Sequence, residues 1–168
     1  MRRDFLRLCL AAGLGLAVLG RNPEEAWAAL RVGDVPPRVT LNDIRGNNIT
    51  LPADFKGKVS LVHFWASWCT ACRPEIAALE TIFGKYRNKA VIPCSVNIGE
   101  SRDAAESYIR NMKVTYPFLL DPKSSVVRQY SISGIPTTYV LDRESVIRFR
   151  IIGEINRDGL ERLLRTLL

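Results

Sequence analysis

Histidine occurs once in these 168 residues and cysteine four times. A tetrahedral zinc centre wants four ligands, and His63 plus one cysteine remote from the Cys69/Cys72 pair is a poor supply, so no metal is expected. Runs of lysine or arginine are missing too, although the formal net charge is +7. With the basic residues spread along the chain and no basic stripe interleaved with aromatics, the charge reads as a solvated surface, and no nucleic-acid partner is expected. No apolar stretch reaches the ~20 residues that a membrane-spanning helix needs. Nothing repeats at a fixed period, and no segment is low in complexity. What remains is a chain whose residues are 47% apolar, enough to bury one core and too short for two large domains.

The start of the chain stands apart. A short basic opening is followed by an apolar run over residues 8–19, the pattern of an export signal. Ala26-Trp27-Ala28 offers small residues where a signal peptidase reads, so cleavage is expected before Ala29. Arg2-Arg3-Asp4-Phe5-Leu6 further suggests the twin-arginine route. The expected organisation is therefore an export signal over 1–28 and one domain over 29–168, working in the periplasm or another extracytoplasmic space. Cys9 lies inside the apolar run behind Leu8, which is not the small residue a lipid-anchoring site requires. Cys69, Cys72 and Cys94 are left in an oxidising compartment, an odd number that implies one pair and one spare thiol.

Along the remaining chain the periodicity changes several times. Two short alternating runs, 39–41 and 48–51, flank the turn signal Arg45-Gly46-Asn47 and predict a leading β-hairpin. Residues 59–65 form a continuous β-rich run, as in a strand covered on both faces. From about Cys69, Ile76, Leu79, Ile82 and Phe83 recur at helical spacing, with Pro74 predicting a kink in the first turns. A strand over 90–96 follows, its Pro93 requiring an edge position or a bulge. Ser101 caps a helix expected to run through Met112. A short strand at 117–120, a short helix at 124–129, a hairpin pairing 137–141 with 146–151, and a helix over 157–167 complete the pattern. These elements predict an α/β fold: a mixed central sheet flanked by helices, with an N-terminal β-hairpin.

Within HFWASWCTACRPE, residues 63–75, two cysteines three apart sit where the central strand gives way to the first long helix. Open α/β sheets place their chemistry at such junctions. With Cys69 at the helix start and Cys72 one turn later, the two share a face and their sulfurs can bond. The partial positive charge of a helix N-terminus favours a thiolate at Cys69, making it the nucleophile and Cys72 the resolving thiol, with no cofactor required. Covalent haem is excluded because Arg73, not histidine, follows the second cysteine. A static disulfide stays open, although closing so short a loop stabilises little.

Residues 64–72 resemble the active-site segment of the thioredoxin superfamily, and Gly134-Ile135-Pro136-Thr137-Thr138 resembles its second signature. Arg73-Pro74-Glu75, Asn97-Ile98-Gly99-Glu100-Ser101 and the export signal narrow the likeness to the TlpA/ResA-like extracytoplasmic thiol-disulfide oxidoreductases, over nearly all of residues 32–168. The resemblance implies a thioredoxin fold with Pro136 as a cis-proline facing the cysteines and Ile135 pairing its backbone with a bound substrate strand. It implies Trp68 as an apolar wall beside Cys69, Trp65 packed beneath, Glu75 as a proton carrier for Cys72, and Glu100 near the site or simply an exposed loop carboxylate.

His63 departs from the pattern, standing where thioredoxin has a buried aspartate and ResA-like relatives more often asparagine. It is either a proton relay toward Cys72 or a hydrogen-bonded core histidine. Thr70-Ala71 also differs from better-known dipeptides and leaves the reduction potential open. Cys94, on the neighbouring strand, is expected to be buried and inert. The implied function is reduction of disulfides in exported proteins, apocytochrome c among them, by a monomer supplied with electrons by a membrane thiol donor. A disulfide oxidase or isomerase is the first alternative; a thiol peroxidase and a copper-handling protein of the same fold are the others.

Overall fold

The computed structural model describes residues 30–110 and 112–168. The expected export signal at 1–28, with Cys9, lies outside the described residues. Among the described residues, no helix is long and apolar enough to cross a membrane.

Seven strands form one mixed sheet in the order β2-β1-β5-β4-β3-β6-β7. The leading hairpin is β1 (Val39–Asp43) and β2 (Asn48–Leu51), antiparallel to each other, with β1 joined to β5 (Phe118–Asp121). The centre is parallel: β3 (Val59–Trp65) pairs with β4 (Val91–Ile98), and β4 with β5. Helices α1 (Cys72–Tyr86) and α2 (Arg102–Ile109) make the two crossovers. After α3 (Ser125–Gln129), the antiparallel hairpin β6 (Thr137–Leu141) and β7 (Ile147–Ile152) adds to the free side of β3, and α4 (Arg157–Arg165) ends the fold.

Every residue of β3 is buried, as its unbroken apolar run predicts. Alternation divides its side chains between two cores. Leu61 and Trp65 join Ile76, Leu79 and Ile82 of α1 and Leu160 and Leu164 of α4. Val62 and Phe64 face the opposite side with Cys94, Val96, Val126 of α3, Tyr130 and Tyr139. Burying one aliphatic side chain contributes ~1.5–3 kcal/mol, and the Ile76/Leu79/Ile82 stripe is the part of α1 that packs it against the sheet.

Two helix ends differ from the sequence-based expectation, and the two prolines find their places. Helix α1 begins at Cys72, not Cys69: the Cys72 N–H donates to Cys69 O at 3.1 Å and the Arg73 N–H to Thr70 O at 3.4 Å, a tighter turn leading into the helix. Pro74 falls in the first turn, where its missing N–H has no intrahelical acceptor, and α1 continues unbroken to Tyr86. Helix α2 ends at Ile109, short of Met112, although Ser101 caps it by accepting from the Ala104 N–H at 3.3 Å. Pro93 takes an edge position within an interior strand. The Ser95 N–H points toward Pro117 O on the β5 side. Two residues earlier, Pro93 faces the same side before β5 pairing begins at Ser95, so no ladder bond is lost.

Candidate active site

The short loop between β3 and α1 carries the cysteines. Cys69 and Cys72 are joined as a disulfide, with Cα atoms 5.4 Å apart. Cys69 is 6% exposed and Cys72 fully buried, so of the two residues only Cys69 reaches solvent. Trp68, immediately before it, is 68% exposed, an apolar surface beside the disulfide. Trp65 belongs to the core, its ring against Tyr108 and Phe118.

Glu100, between β4 and α2, holds this loop. Its Oε2 accepts from the Ser67 N–H at 2.7 Å and from Asn97 Nδ2 at 2.6 Å, while its Oε1 accepts from Ser67 Oγ. Although burial opposes ionisation, these donors keep its carboxyl below the usual range. The carboxylate therefore does structural work two residues ahead of Cys69. Its partners Ser67 and Asn97 were not foreseen, since the loop and the strand end meet only in the fold.

The Ile135–Pro136 peptide is cis, as is Leu51–Pro52. Pro136 precedes β6, and its carbonyl accepts from the Gly153 N–H at 2.9 Å. Ile135 is half-buried against both cores.

Beneath α1, a polar row crosses the sheet. Thr138 lies opposite His63, and His63 opposite Ser95, so β6, β3 and β4 each contribute one side chain at the same level. All three are buried. His63 Nδ1 is 3.2 Å from Ser95 Oγ, Ser95 Oγ is 3.0 Å from Tyr116 Oη, and Tyr116 Oη donates to Ile76 O at 3.4 Å. His63 Nε2 has no partner. Burial pushes the His63 pKa down to about 3, so the ring is neutral.

Glu75 reaches this row from α1, three residues after Cys72 and on the same helical face. It is buried; its Oε1 accepts from Thr138 Oγ1 and its Oε2 has no regular hydrogen bond. Burial raises its pKa to about 7, against the opposing pull of Thr138 and the Ile155 N–H and with help from the Glu154 charge. A carboxyl poised there can take and return a proton near neutrality. The hydrogen-bonding roles of Thr138, Ser95 and Tyr116 escape sequence reasoning. Strand register could have found the first two, but nothing in the local pattern points to Tyr116.

Cys94 is a free, fully buried thiol on the opposite face of the sheet, its pKa raised by burial. Among the described residues, no group of three or more His, Cys, Asp or Glu could hold a metal ion.

The family described as AhpC/TSA matches residues 32–150. The chain is 27% identical over 165 residues to the thiol-disulfide oxidoreductase ResA of Geobacillus kaustophilus, covering 98% of this chain and 94% of that one. It is 28% identical over 149 residues to the sporulation thiol-disulfide oxidoreductase A of Bacillus subtilis, covering 87% and 89%. Among solved structures, a protein from Chlorobium tepidum described as a thiol:disulfide interchange protein DsbE superposes with a TM-score of 0.78 at 27% identity, covering 83% of this chain and 99% of that one. These neighbours carry the thioredoxin fold, which this sheet and its flanking helices share.

Proposed function

The chain belongs to the AhpC/TSA family, and from that premise we propose that it is a thiol-disulfide oxidoreductase working as a protein-disulfide reductase through Cys69 and Cys72. The observation that carries the reading is the bonded pair at the β3–α1 junction, in which Cys69 keeps slight exposure and Cys72 has none.

In the reduced protein the Cys69 thiolate attacks one sulfur of a substrate disulfide, and the departing sulfur takes a proton from water. Cys72 gives its proton to the Glu75 carboxylate and attacks Cys69, closing the internal disulfide and releasing the second substrate sulfur as a thiolate, which is protonated in turn. Two electrons pass to the substrate, and an external dithiol restores the pair. Trp68 and the backbone at Ile135 and Pro136 receive the substrate chain, and His63 is the further member of the proton-handling set.

The substrates proposed are disulfide-bearing exported proteins, apocytochrome c among them. The location is extracytoplasmic and the electron source a membrane thiol donor. The basic and apolar pattern of residues 1–28 supports export, and the ResA and DsbE-like neighbours support the exchange chemistry. The protein works as a monomer without metal or organic cofactor.

The test is reduction of insulin by the dithiol form, together with the potential of the Cys69/Cys72 couple. A reductase is expected near thioredoxin's value of about −270 mV. A value near −120 mV, or turnover that survives Cys69→Ser, would refute it.

A further inference from the structure

We propose that Glu75 and His63 share a proton beneath the disulfide, and that Ser95 and Tyr116 are positioning residues that aim His63 for it. This deepens the reductase reading and rests on it for its purpose, though not for its chemistry.

The argument starts from the direction of the hydrogen bonds. Ile76 O can only accept, so the single Tyr116 hydroxyl proton is spent on it. Tyr116 Oη then accepts from Ser95 Oγ, and Ser95 Oγ, its own proton spent, accepts from His63 Nδ1. The neutral ring is thereby held as the Nδ1–H tautomer, and its Nε2 is a bare lone pair. Thr138 offers no relief, because its one hydroxyl proton goes to Glu75 Oε1.

Of the five buried side-chain atoms without a partner among the described residues, two lie beside Thr138, and they are complementary. His63 Nε2 is an acceptor without a donor; Glu75 Oε2 has no regular hydrogen bond, the Ile155 N–H acting on the carboxyl only weakly, and in the acid form its proton lacks an acceptor. Their side chains adjoin the same Thr138, one as its cross-strand partner and the other as its hydrogen-bond partner. The two atoms are not directly bonded in the structure; one water between Glu75 Oε2–H and Nε2 satisfies both and buries no charge.

Of the groups facing this pair, Thr138 and the Ile155 N–H favour the carboxylate, and burial together with the Glu154 charge outweighs them. Cys72 and Glu75 come from α1, Ser95 from β4, Thr138 from β6, and Tyr116 from the segment before β5. The charge on Glu154, beyond β7, favours the acid form of Glu75. The Tyr116 phenol is held protonated by burial. Cys94 lies on the other face of the sheet. In the reaction, the Cys72 thiol proton moves to Glu75 Oε2 and is steadied by His63 Nε2. It returns to the Cys72 thiolate when an incoming dithiol opens the disulfide. The pair moves a proton only, and no electrons pass through it.

The test uses nitrogen and carbon NMR of the oxidised full chain. His63 is the only histidine, so its ring nitrogens are unambiguous. Expected are a protonated Nδ1, an unprotonated Nε2, and an Nε2 signal that moves with the Glu75 carboxyl titration and ceases to move in Glu75→Gln. Tyr116→Phe frees the Ser95 hydroxyl to donate to Nδ1. The ring proton then transfers to Nε2, where it supports ionised Glu75, and the Glu75 midpoint falls by about one pH unit. Ser95→Ala, which removes the Nδ1 acceptor, shifts both signals the same way and serves if Tyr116→Phe fails to fold. A protonated Nε2 in the unaltered protein, or an Nε2 blind to Glu75, or a tautomer and midpoint unmoved in the folded variants, would overturn the proposal. None of these readings needs a substrate. Failure to reduce insulin would therefore sink the reductase reading while leaving the proton pair standing, and the converse also holds.

Discussion

Glu75→Gln should unmask a pH dependence of stability that the native chain conceals. Glu75 titrates at about 7 when folded against 4.5 unfolded, so the native state holds the extra proton between those values. Its contribution is fully present below pH 4.5 and lost as pH rises through 7. His63 runs the other way. Its folded pKa of about 3 lies below the unfolded 6.5, so its contribution is present above 6.5 and lost as pH falls through 3. Each group changes stability by ~1.4 kcal/mol per pH unit within its window. Between pH 4.5 and 6.5 the two slopes oppose each other, and the native protein is expected to be nearly flat with respect to this pair. Without the carboxyl, only the His63 slope remains, and stability rises by about 2.7 kcal/mol over those two units. The difference between the two proteins changes by about 3 kcal/mol from pH 4.5 to 7. Any packing cost of the amide is independent of pH, and Asp43, Asp142 and Glu100, whose carboxyls are lowered, are common to both proteins and cancel. Urea unfolding with the disulfide intact, at pH steps from 4.5 to 7.5, measures the difference. Parallel stability curves for the two proteins would refute the reasoning.

Glu100→Gln halves the acceptor capacity that secures Ser67 and Asn97; we expect ~1 kcal/mol of destabilisation at this partly exposed site and slower insulin reduction, checked by urea midpoint and turnover together. Trp68→Ala should leave stability within ~0.5 kcal/mol, because the ring is exposed, while raising KM for a polypeptide disulfide and not for a small one. Alkylation of the reduced native protein should label Cys69 and spare Cys94 until the chain is unfolded, as mass spectrometry of peptides would show; labelling of both at one rate would contradict the burial of Cys94.

The residues that announced themselves in the sequence were those whose meaning is local. Cys69 and Cys72 need only three residues of spacing to pair, and the β-rich run over 59–65 needs only its own composition to become a covered strand. The turn at Asp142-Arg143-Glu144-Ser145 is local in the same way, joining β6 to β7 where expected. Helix α1 starts three residues later than the spacing predicts, because the Cys69–Cys72 segment forms a tight turn whose bonds resemble a helical start.

What the chain order determined by itself is the alternation of strands and helices, the two-residue period of β3, and the cysteine pair at the strand–helix junction. These follow from local sterics and side-chain periodicity. Tertiary structure alone decided that Glu100 holds Ser67 across 33 residues, that Thr138 and Ser95 flank His63, and that Glu75 loses its water. Those outcomes depend on strand register and on burial beneath α1. A carboxyl and an imidazole acquire their altered proton affinities only when distant parts of the chain close over them and exclude solvent.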